Sequence, residues 1–236
     1  MQNIPPNLWQ VAGECLGTTH PVATVPSLSW LLRQQDRQQL RSGSRKCWLP
    51  MSADPLGALT RLGGDLRESL AEAAVDLITS RMPDNCMRGA DLCIVCAHGG
   101  LHEGQSWFRV IADEDATYLS GSELASFLTG CGIVVLFVCS GGRLDRHPFT
   151  AASVGLPKLL LDRGCRTIVA SPWPLDVAVP GLWLPSFLKS LSAGGTTTNA
   201  VFDGNQAVAA TARVHPALCL AMNVYGDPFS TLTPPP

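Results

Sequence analysis

Three continuous apolar runs, each about as long as a β-strand, most strongly constrain the fold of this 236-residue chain. They read ADLCIVCA (90–97), GIVVLFVC (132–139) and RTIVASPW (166–173). Apolar runs without alternation predict strands that are buried on both faces, as in a parallel sheet covered by helices. Helical stretches follow them: SGSELASFLTG (120–130), GLPKLLLDRGC (155–165) and VPGLWLPSFLKSLSAGG (179–195). This alternation predicts an α/β domain with a mostly parallel central sheet.

Local signals predict where the other elements begin and end. Ser120 and Glu123 fit a capping box, while Gly130 and Gly164 fit helix ends. A helix is expected to open near Ser27. The stretch SWFRVIADEDATYL (106–119) predicts a small hairpin with an acidic turn. A further helix is predicted from apolar residues at helical spacing, namely Leu66, Leu70, Ala73, Ala74 and Leu77.

The composition is that of a globular protein, with 46% hydrophobic and 15% charged residues. A formal net charge of -2 gives no electrostatic basis for binding nucleic acid or an anionic membrane. No run of 18 apolar residues predicts a transmembrane helix, and the start MQNIPPNLWQ lacks the basic and apolar regions of a signal peptide. We therefore expect a cytoplasmic protein. Its nine cysteines, an odd number, are expected to be reduced thiols.

One histidine and one cysteine stand where neighbouring strands of the predicted sheet end. His98 follows the first apolar run, and Cys139 closes the second. Glycine pairs follow closely after each, and ligand sites in parallel sheets form at the carboxyl ends of strands. A thiol and an imidazole brought together there are the minimum for nucleophilic catalysis by cysteine. Backbone amides at Gly99 and Cys139 would then hold the oxyanion of a tetrahedral intermediate.

Other interpretations of these residues are open at this point. Cys139 at a strand end and His98 beside it are each also typical of core or structural residues. The stretch CIVCAHGGLH offers Cys93, Cys96, His98 and His102, which match zinc ligands by number. A strand, however, turns Cys93 and Cys96 to opposite faces, and no second cysteine pair follows. We therefore predict neither a metal nor another cofactor.

Three segments together resemble a known family. They are VCAHGG (95–100), VVLFVCSGG (134–142) and GLPKLLLDRGCRTIVASPWPLD (155–176). Their order is similar to that of the CHAT domain, a caspase-like domain of bacterial cysteine peptidases in the clan of caspases and separase. HPVATVPSLSWLL (20–32) and HPALCLAMNVYGDP (215–228) resemble its opening and closing parts. The resemblance divides the chain into a lead-in at 1–18, the CHAT domain at 19–228 and a tail at 229–236.

The resemblance implies a caspase-like fold and the activity of a cysteine endopeptidase. It implies Cys139 as nucleophile, His98 as catalytic imidazole, and the amides of Gly99 and Cys139 as the oxyanion site. It also implies a protein or peptide substrate and a regulatory sensor module or protein partner, in bacterial defence or signalling. The alternative is a catalytically silent CHAT scaffold that binds other proteins.

In the related peptidases, the segment after the third strand lines the substrate pocket. By this resemblance Ser171, Trp173 and Asp176 are predicted to bind substrate. Asp176 favours a basic residue before the cut, while the adjacent Val177 favours an apolar one. Asp176 is also typical of a helix N-cap, and Trp173 of a core residue. The stretch GRLDRHPF (142–149) is predicted to be a mobile loop.

Overall fold

The computed structural model describes residues 4–35, 43–51, 57–101, 108–111, 118–146, 153–211 and 215–232. The strands of this part are β1 (Gln10–Val11), β2 (Glu14–Cys15), β3 (Ala23–Thr24), β4 (Arg45–Trp48), β5 (Asp76–Ile78), β6 (Leu92–Cys96), β7 (His98–Leu101), β8 (Phe108–Ile111), β9 (Tyr118–Ser120), β10 (Ile133–Phe137), β11 (Asp145–Arg146), β12 (Ser153–Val154), β13 (Thr167–Ala170) and β14 (Asn223–Gly226). The helices are α1 (Leu16–Thr19), α2 (Leu28–Gln35), α3 (Ala58–Glu72), α4 (Gly121–Phe127), α5 (Leu156–Asp162), α6 (Val179–Ser192), α7 (Thr197–Thr211) and α8 (Pro216–Cys219).

The central sheet has seven strands within the described residues, in the order β3-β14-β13-β10-β6-β4-β5. Its strands pair in parallel except for β14, which runs antiparallel to β13. The three apolar runs form β6, β10 and β13, which lie next to one another in the middle. The predicted α/β fold with a mostly parallel sheet is therefore confirmed. The predicted hairpin is β8 with β9, and β7 adds a third strand to it.

Helices cover both faces of the sheet, which explains why the central strands are apolar at almost every residue. One core cluster joins alternate residues of β6 and β10 to α3, α6 and α7, and Trp183 and Leu66 are fully buried in it. The second cluster joins the intervening residues to α4 and α5, around Leu124 and Leu160. Burying one such large apolar side chain stabilises a fold by about 1.5–3 kcal/mol.

Several helix ends lie where the sequence predicted them. Ser120 and Glu123 form the complete capping box of α4, and the Ser27 hydroxyl oxygen accepts a hydrogen bond from the Trp30 amide at the start of α2. Gly164 follows α5 with φ +89°, a left-handed conformation that glycine adopts without strain. Gly130 has φ +74° in the turn after α4, which itself ends at Phe127.

The helix predicted to reach Leu77 is shorter than expected. It ends at Glu72, Ala74 adopts φ +52°, and Leu77 lies in β5. Leu77 is paired there with Cys47 of β4, and the Arg45 guanidinium donates to the carbonyl of Ala73 at 2.7 Å, just after the helix end. Leu77 continues the helical spacing of apolar residues by coincidence. Residues 76–78 form a strand because they pair with β4.

Residues outside the predicted 19–228 domain also pack on the sheet. The Asn7 side chain is buried and donates to the Met222 carbonyl at 3.2 Å, and Leu232 joins the first core cluster. The boundaries at 19 and 228 stay a prediction. Among the described residues, no helix has both the length and the apolar character that crossing a membrane requires.

Candidate active site

The ends of β6 and β10 lie side by side at the carboxyl edge of the sheet. Cys96 is the register partner of Phe137, and the Ala97 amide donates to the Phe137 carbonyl at 3.3 Å. His98 and Cys139 each come two residues after these partners, and both are half-buried. Neighbouring strands are about 4.8 Å apart. The two backbones therefore leave the sheet from corresponding positions of adjacent strands.

A tight turn carries Cys139 away from β10. The Gly141 amide donates to the Val138 carbonyl at 2.9 Å, and the Arg143 amide to the Ser140 carbonyl at 3.0 Å. Ser140 adopts φ +58°, in the left-handed region that non-glycine residues seldom occupy. Such a conformation costs free energy and persists where the surrounding structure holds it. Cys139 is thus presented on a strained turn directly after a rigid strand.

The segment after β13, residues 171–176, holds this turn from the side. The Ser140 amide donates to the Trp173 carbonyl at 3.0 Å, and the Gly142 amide to the Ser171 carbonyl at 2.7 Å. The Cys139 thiol makes a weak hydrogen bond to the Leu175 carbonyl, with sulfur and oxygen 4.0 Å apart. The turn that carries the candidate nucleophile is therefore hydrogen-bonded to the predicted substrate-binding segment.

Steric crowding explains why the second glycine of the Cys-Ser-Gly-Gly turn, Gly142, has no side chain. A Cβ on Gly142 would lie 2.9 Å from the Ala170 carbonyl oxygen and 3.0 Å from the Tyr225 hydroxyl. Tyr225 is buried behind the turn, and this burial raises the pKa of its hydroxyl. Backbone and phenol therefore leave no room for a side chain at position 142.

Replacing Gly142 with Ala is expected to lower the free energy of unfolding by about 1–3 kcal/mol through overpacking. Gly100→Ala is a matched control beside the same edge, since a Cβ there would meet nothing within 4 Å. We expect the control to change stability by less than about 0.5 kcal/mol. Urea denaturation of both variants measures the difference, and equal midpoints would contradict the steric account.

The three residues predicted to bind substrate lie on one segment but differ in environment. Ser171 is fully buried, and Trp173 is half-buried and donates through Nε1 to the Ala217 carbonyl of α8 at 2.9 Å. Asp176 is exposed, and its carboxylate accepts a hydrogen bond from the Ala178 amide at 2.9 Å. Asp176 thus stabilises the turn that leads into α6, but the N-cap of α6 is Ala178 and no side chain caps it, so the interpretation of Asp176 as a helix N-cap is wrong. Val177 beside it is 51% exposed.

The buried cysteines make the contacts of core thiols, whereas Cys86 is exposed and Cys15 is half-buried. Cys93 and Cys96 belong to different core clusters, on opposite faces of β6 as predicted. A hydrogen bond to the Cys131 thiol, 3.5 Å away between sulfurs, and burial raise the pKa of Cys93. No group of three potential metal ligands occurs among the described residues, and His102 lies outside them.

Two other predicted features fall partly outside the described residues. The acidic turn of the hairpin, residues 113–115, lies outside them. Of the stretch predicted to be a mobile loop, Asp145–Arg146 forms β11 and pairs with Ser153–Val154, and residues 147–149 lie outside. The sequence did not predict the conformation of the turn at Ser140 or its hydrogen bonds to the carbonyls of Trp173 and Leu175. Backbone hydrogen bonds of this kind do not depend on which side chain a residue carries.

Comparison with known proteins identifies the fold. No protein-family model matches the chain, and no curated protein matches it. A chain of the Saccharomyces cerevisiae separase–securin complex is similar in structure, with a TM-score of 0.64 and 14% identity over 93% of this chain and 15% of that one. The Arg-specific cysteine proteinase gingipain R matches with a TM-score of 0.52 and 14% identity over 80% of this chain and 47% of its own.

The complex of the pro- and mature domains of Porphyromonas gingivalis RgpB is a further match, with a TM-score of 0.51 and 14% identity over 92% of this chain and 52% of that one. The chain therefore spans about half of the gingipain chains and a much smaller part of the separase-complex chain. Membership of the CHAT family stays a prediction. At these identities the similarity shows the fold, and that fold is the caspase-like α/β fold.

Proposed function

We propose that this protein is a caspase-like cysteine endopeptidase that cuts a protein partner with Cys139 and His98. The observation that carries the proposal is the register of β6 and β10, which brings the residues after Cys96 and Phe137 to adjacent positions. Strand alternation supports it further. Cys96 and Phe137 both face the core cluster that contains α6, and continued alternation along each backbone favours that same side for the residues two positions on.

In the proposed reaction, the Cys139 thiolate attacks the carbonyl carbon of the scissile peptide bond. His98 takes the thiol proton and gives it to the leaving amine, which departs as the acyl-enzyme forms. A water molecule, deprotonated by His98, then releases the acyl group and restores the thiol. The amides of Gly99 and Cys139 stabilise the oxyanion in both steps. Gly99 directly follows His98 in β7, which supports its place beside the reacting carbonyl.

The substrate is proposed to lie extended along residues 171–176, beside the Cys139 turn. Asp176 and Val177 are both exposed there. A carboxylate suits Arg or Lys before the cut, and the structural neighbour gingipain R is an Arg-specific proteinase. Val177 suits an apolar residue instead. The Ala178 amide occupies one oxygen of Asp176 and leaves its charge and its other oxygen, and Val177 stands beside it, so both residue classes belong in the test.

A regulatory protein partner is part of the proposal. Securin accompanies separase in one structural neighbour, and a pro-domain accompanies mature RgpB in another. By the same logic this chain is proposed to be controlled by a sensor module or partner, in the cytoplasm and in bacterial defence or signalling.

Labelling with peptides that carry a thiol-reactive electrophile tests the proposal. Two probes are used, ending in Arg and in Leu before the electrophile, and the labelled residue is mapped by mass spectrometry. We expect labelling of Cys139 at least about tenfold faster than that of Cys86, because an activated thiol reacts as the thiolate. Cys86 is the internal reference, since it is an exposed thiol.

Iodoacetamide serves as the control reagent, since it has no peptide part to be recognised. Selective peptide labelling of Cys139 would support an endopeptidase, and the faster probe would identify the preferred residue. Equal labelling of Cys139 and Cys86 by both peptides would overturn the proposal and favour the silent scaffold.

A further inference from the structure

The Trp173 carbonyl oxygen is a junction between the Cys139 turn and the segment after β13. It accepts one hydrogen bond from the Ser140 amide at 3.0 Å. It accepts a second from the Ser171 hydroxyl at 2.9 Å. The Ser171 oxygen in turn lies 3.4 Å from the Trp173 amide nitrogen, which donates to it. A single side-chain hydroxyl therefore fixes the carbonyl that holds the amide next to Cys139.

The burial of Ser171 shows that its hydroxyl faces the protein interior and not the solvent. Ser171 has no exposed surface, and its own carbonyl accepts the Gly142 amide at 2.7 Å. Both its side chain and its carbonyl thus bond inward, to the segment and to the turn. A substrate on the outside of the segment would meet other groups first.

The turn needs such support because of its conformation. Ser140 is held at φ +58°, which a non-glycine residue keeps only under constraint from its surroundings. The bond from its amide to the Trp173 carbonyl acts on the strained residue itself, as does the bond from the Arg143 amide to the Ser140 carbonyl. If the Trp173 carbonyl moves, the turn loses one of the two, and we expect the direction of the Cys139 side chain to change.

We infer that Ser171 is a positioning residue for Cys139, which acts through the Trp173 carbonyl and the Ser140 amide rather than by touching the substrate. The inference rests on the proposed function, since it assigns Ser171 to the reactivity of the same thiol. It has a consequence for substrate binding: a peptide that orders residues 171–176 also tightens the turn that carries the nucleophile.

The rate of Cys139 alkylation by iodoacetamide tests this inference without a substrate. The rate is measured by mass spectrometry relative to Cys86 in the same molecule, for the wild type, Ser171→Ala and Ser171→Cys. Ser171→Ala is expected to slow Cys139 about fivefold, the effect of losing one hydrogen bond. Ser171→Cys has nearly the same volume and a weaker donor, so its rate is expected to lie between the other two. It also keeps the test valid if the Ala variant does not fold.

Ser230→Ala is the matched control. Ser230 is also a buried serine with hydrogen-bonded contacts, to Thr167 and Asp227, but it lies near the opposite end of β13. It is expected to lower thermal stability as Ser171→Ala does and to leave the Cys139 rate unchanged.

The possible outcomes separate the inference from the proposed function. A faster Cys139 in Ser171→Ala would mean that the hydroxyl only packs the thiol away from solvent, and an unchanged rate would mean that it has no influence. Either result overturns the inference while the proposed function stands. A wild-type Cys139 that reacts no faster than Cys86 would instead overturn both.

Discussion

Under the proposed function, replacing Cys139 with Ala is expected to lower peptide cleavage by at least about 10³-fold, because it removes the group proposed to form the acyl-enzyme. The loss should appear without loss of structure, since Cys139 is half-buried and lies outside both core clusters. The measurement is the cleavage rate of a mixed-sequence peptide library, read by mass spectrometry, beside a thermal melt of each variant.

Two further variants make this result specific. Cys86→Ala removes another accessible thiol and is expected to leave cleavage unchanged. Cys139→Ser keeps the side-chain volume with a much weaker nucleophile and is expected to be nearly as inactive as the Ala variant. Undiminished cleavage in Cys139→Ala would remove Cys139 from the reaction, whatever the fold.

The central strands could be predicted because the signal for each is local. In β6, β10 and β13, every residue is buried, and a strand covered on both faces is largely apolar. Thr167 is the polar exception, and its hydroxyl is hydrogen-bonded. The order of these strands in the sheet follows their order in the chain. The adjacent ends of β6 and β10, beyond which His98 and Cys139 follow, could therefore be predicted too.

The elements that were not predicted depend on contacts between distant residues. Strand β4 begins with Arg45 and Lys46, which gives it no apolar pattern, yet it lies between β5 and β6. Helix α7 begins with two threonines and contains Gly204, all weak helix formers. Gly204 is needed because a Cβ there would lie 2.6 Å from the Trp183 ring nitrogen. That nitrogen donates to the neighbouring Asn205 side chain at 3.0 Å, so packing against α6 outweighs local propensity.

The site shows the same division. Residue types at strand ends indicated a thiol and an imidazole, because chemistry depends on side chains. The support for Cys139 lies largely in the backbone, in the amides of Ser140 and Gly142 and the carbonyls that they meet. Ser171 supports it through its side-chain hydroxyl, and a serine after a strand carries no particular signal. Predicting its partners required the conformation of the turn.

An ion pair at the other end of β13 is expected to carry the largest effect on stability. The Arg166 guanidinium lies 2.9 Å from the Asp227 carboxylate, whose side chain is only 2% exposed. That carboxylate also accepts hydrogen bonds from the Ser230 hydroxyl at 3.1 Å and the Phe229 amide at 3.0 Å. It thereby ties the end of β14 to the start of β13, which gives the closing Gly-Asp-Pro stretch a structural reason.

Asp227→Ala is expected to lower the free energy of unfolding by about 3–5 kcal/mol, because it removes a buried carboxylate that pairs with a largely buried guanidinium and accepts two further hydrogen bonds. Asp162→Ala is the matched control, since it breaks the pair between Lys158 and Asp162, which is exposed and lies within one helix. Such surface pairs contribute about 0–1 kcal/mol. Urea denaturation compares the two variants. Equal losses of unfolding free energy would show that the Asp227 pair is screened like a surface pair. A loss confined to Asp227→Ala would make the ion pair between β13 and β14, far from Cys139, a main determinant of whether the sheet forms.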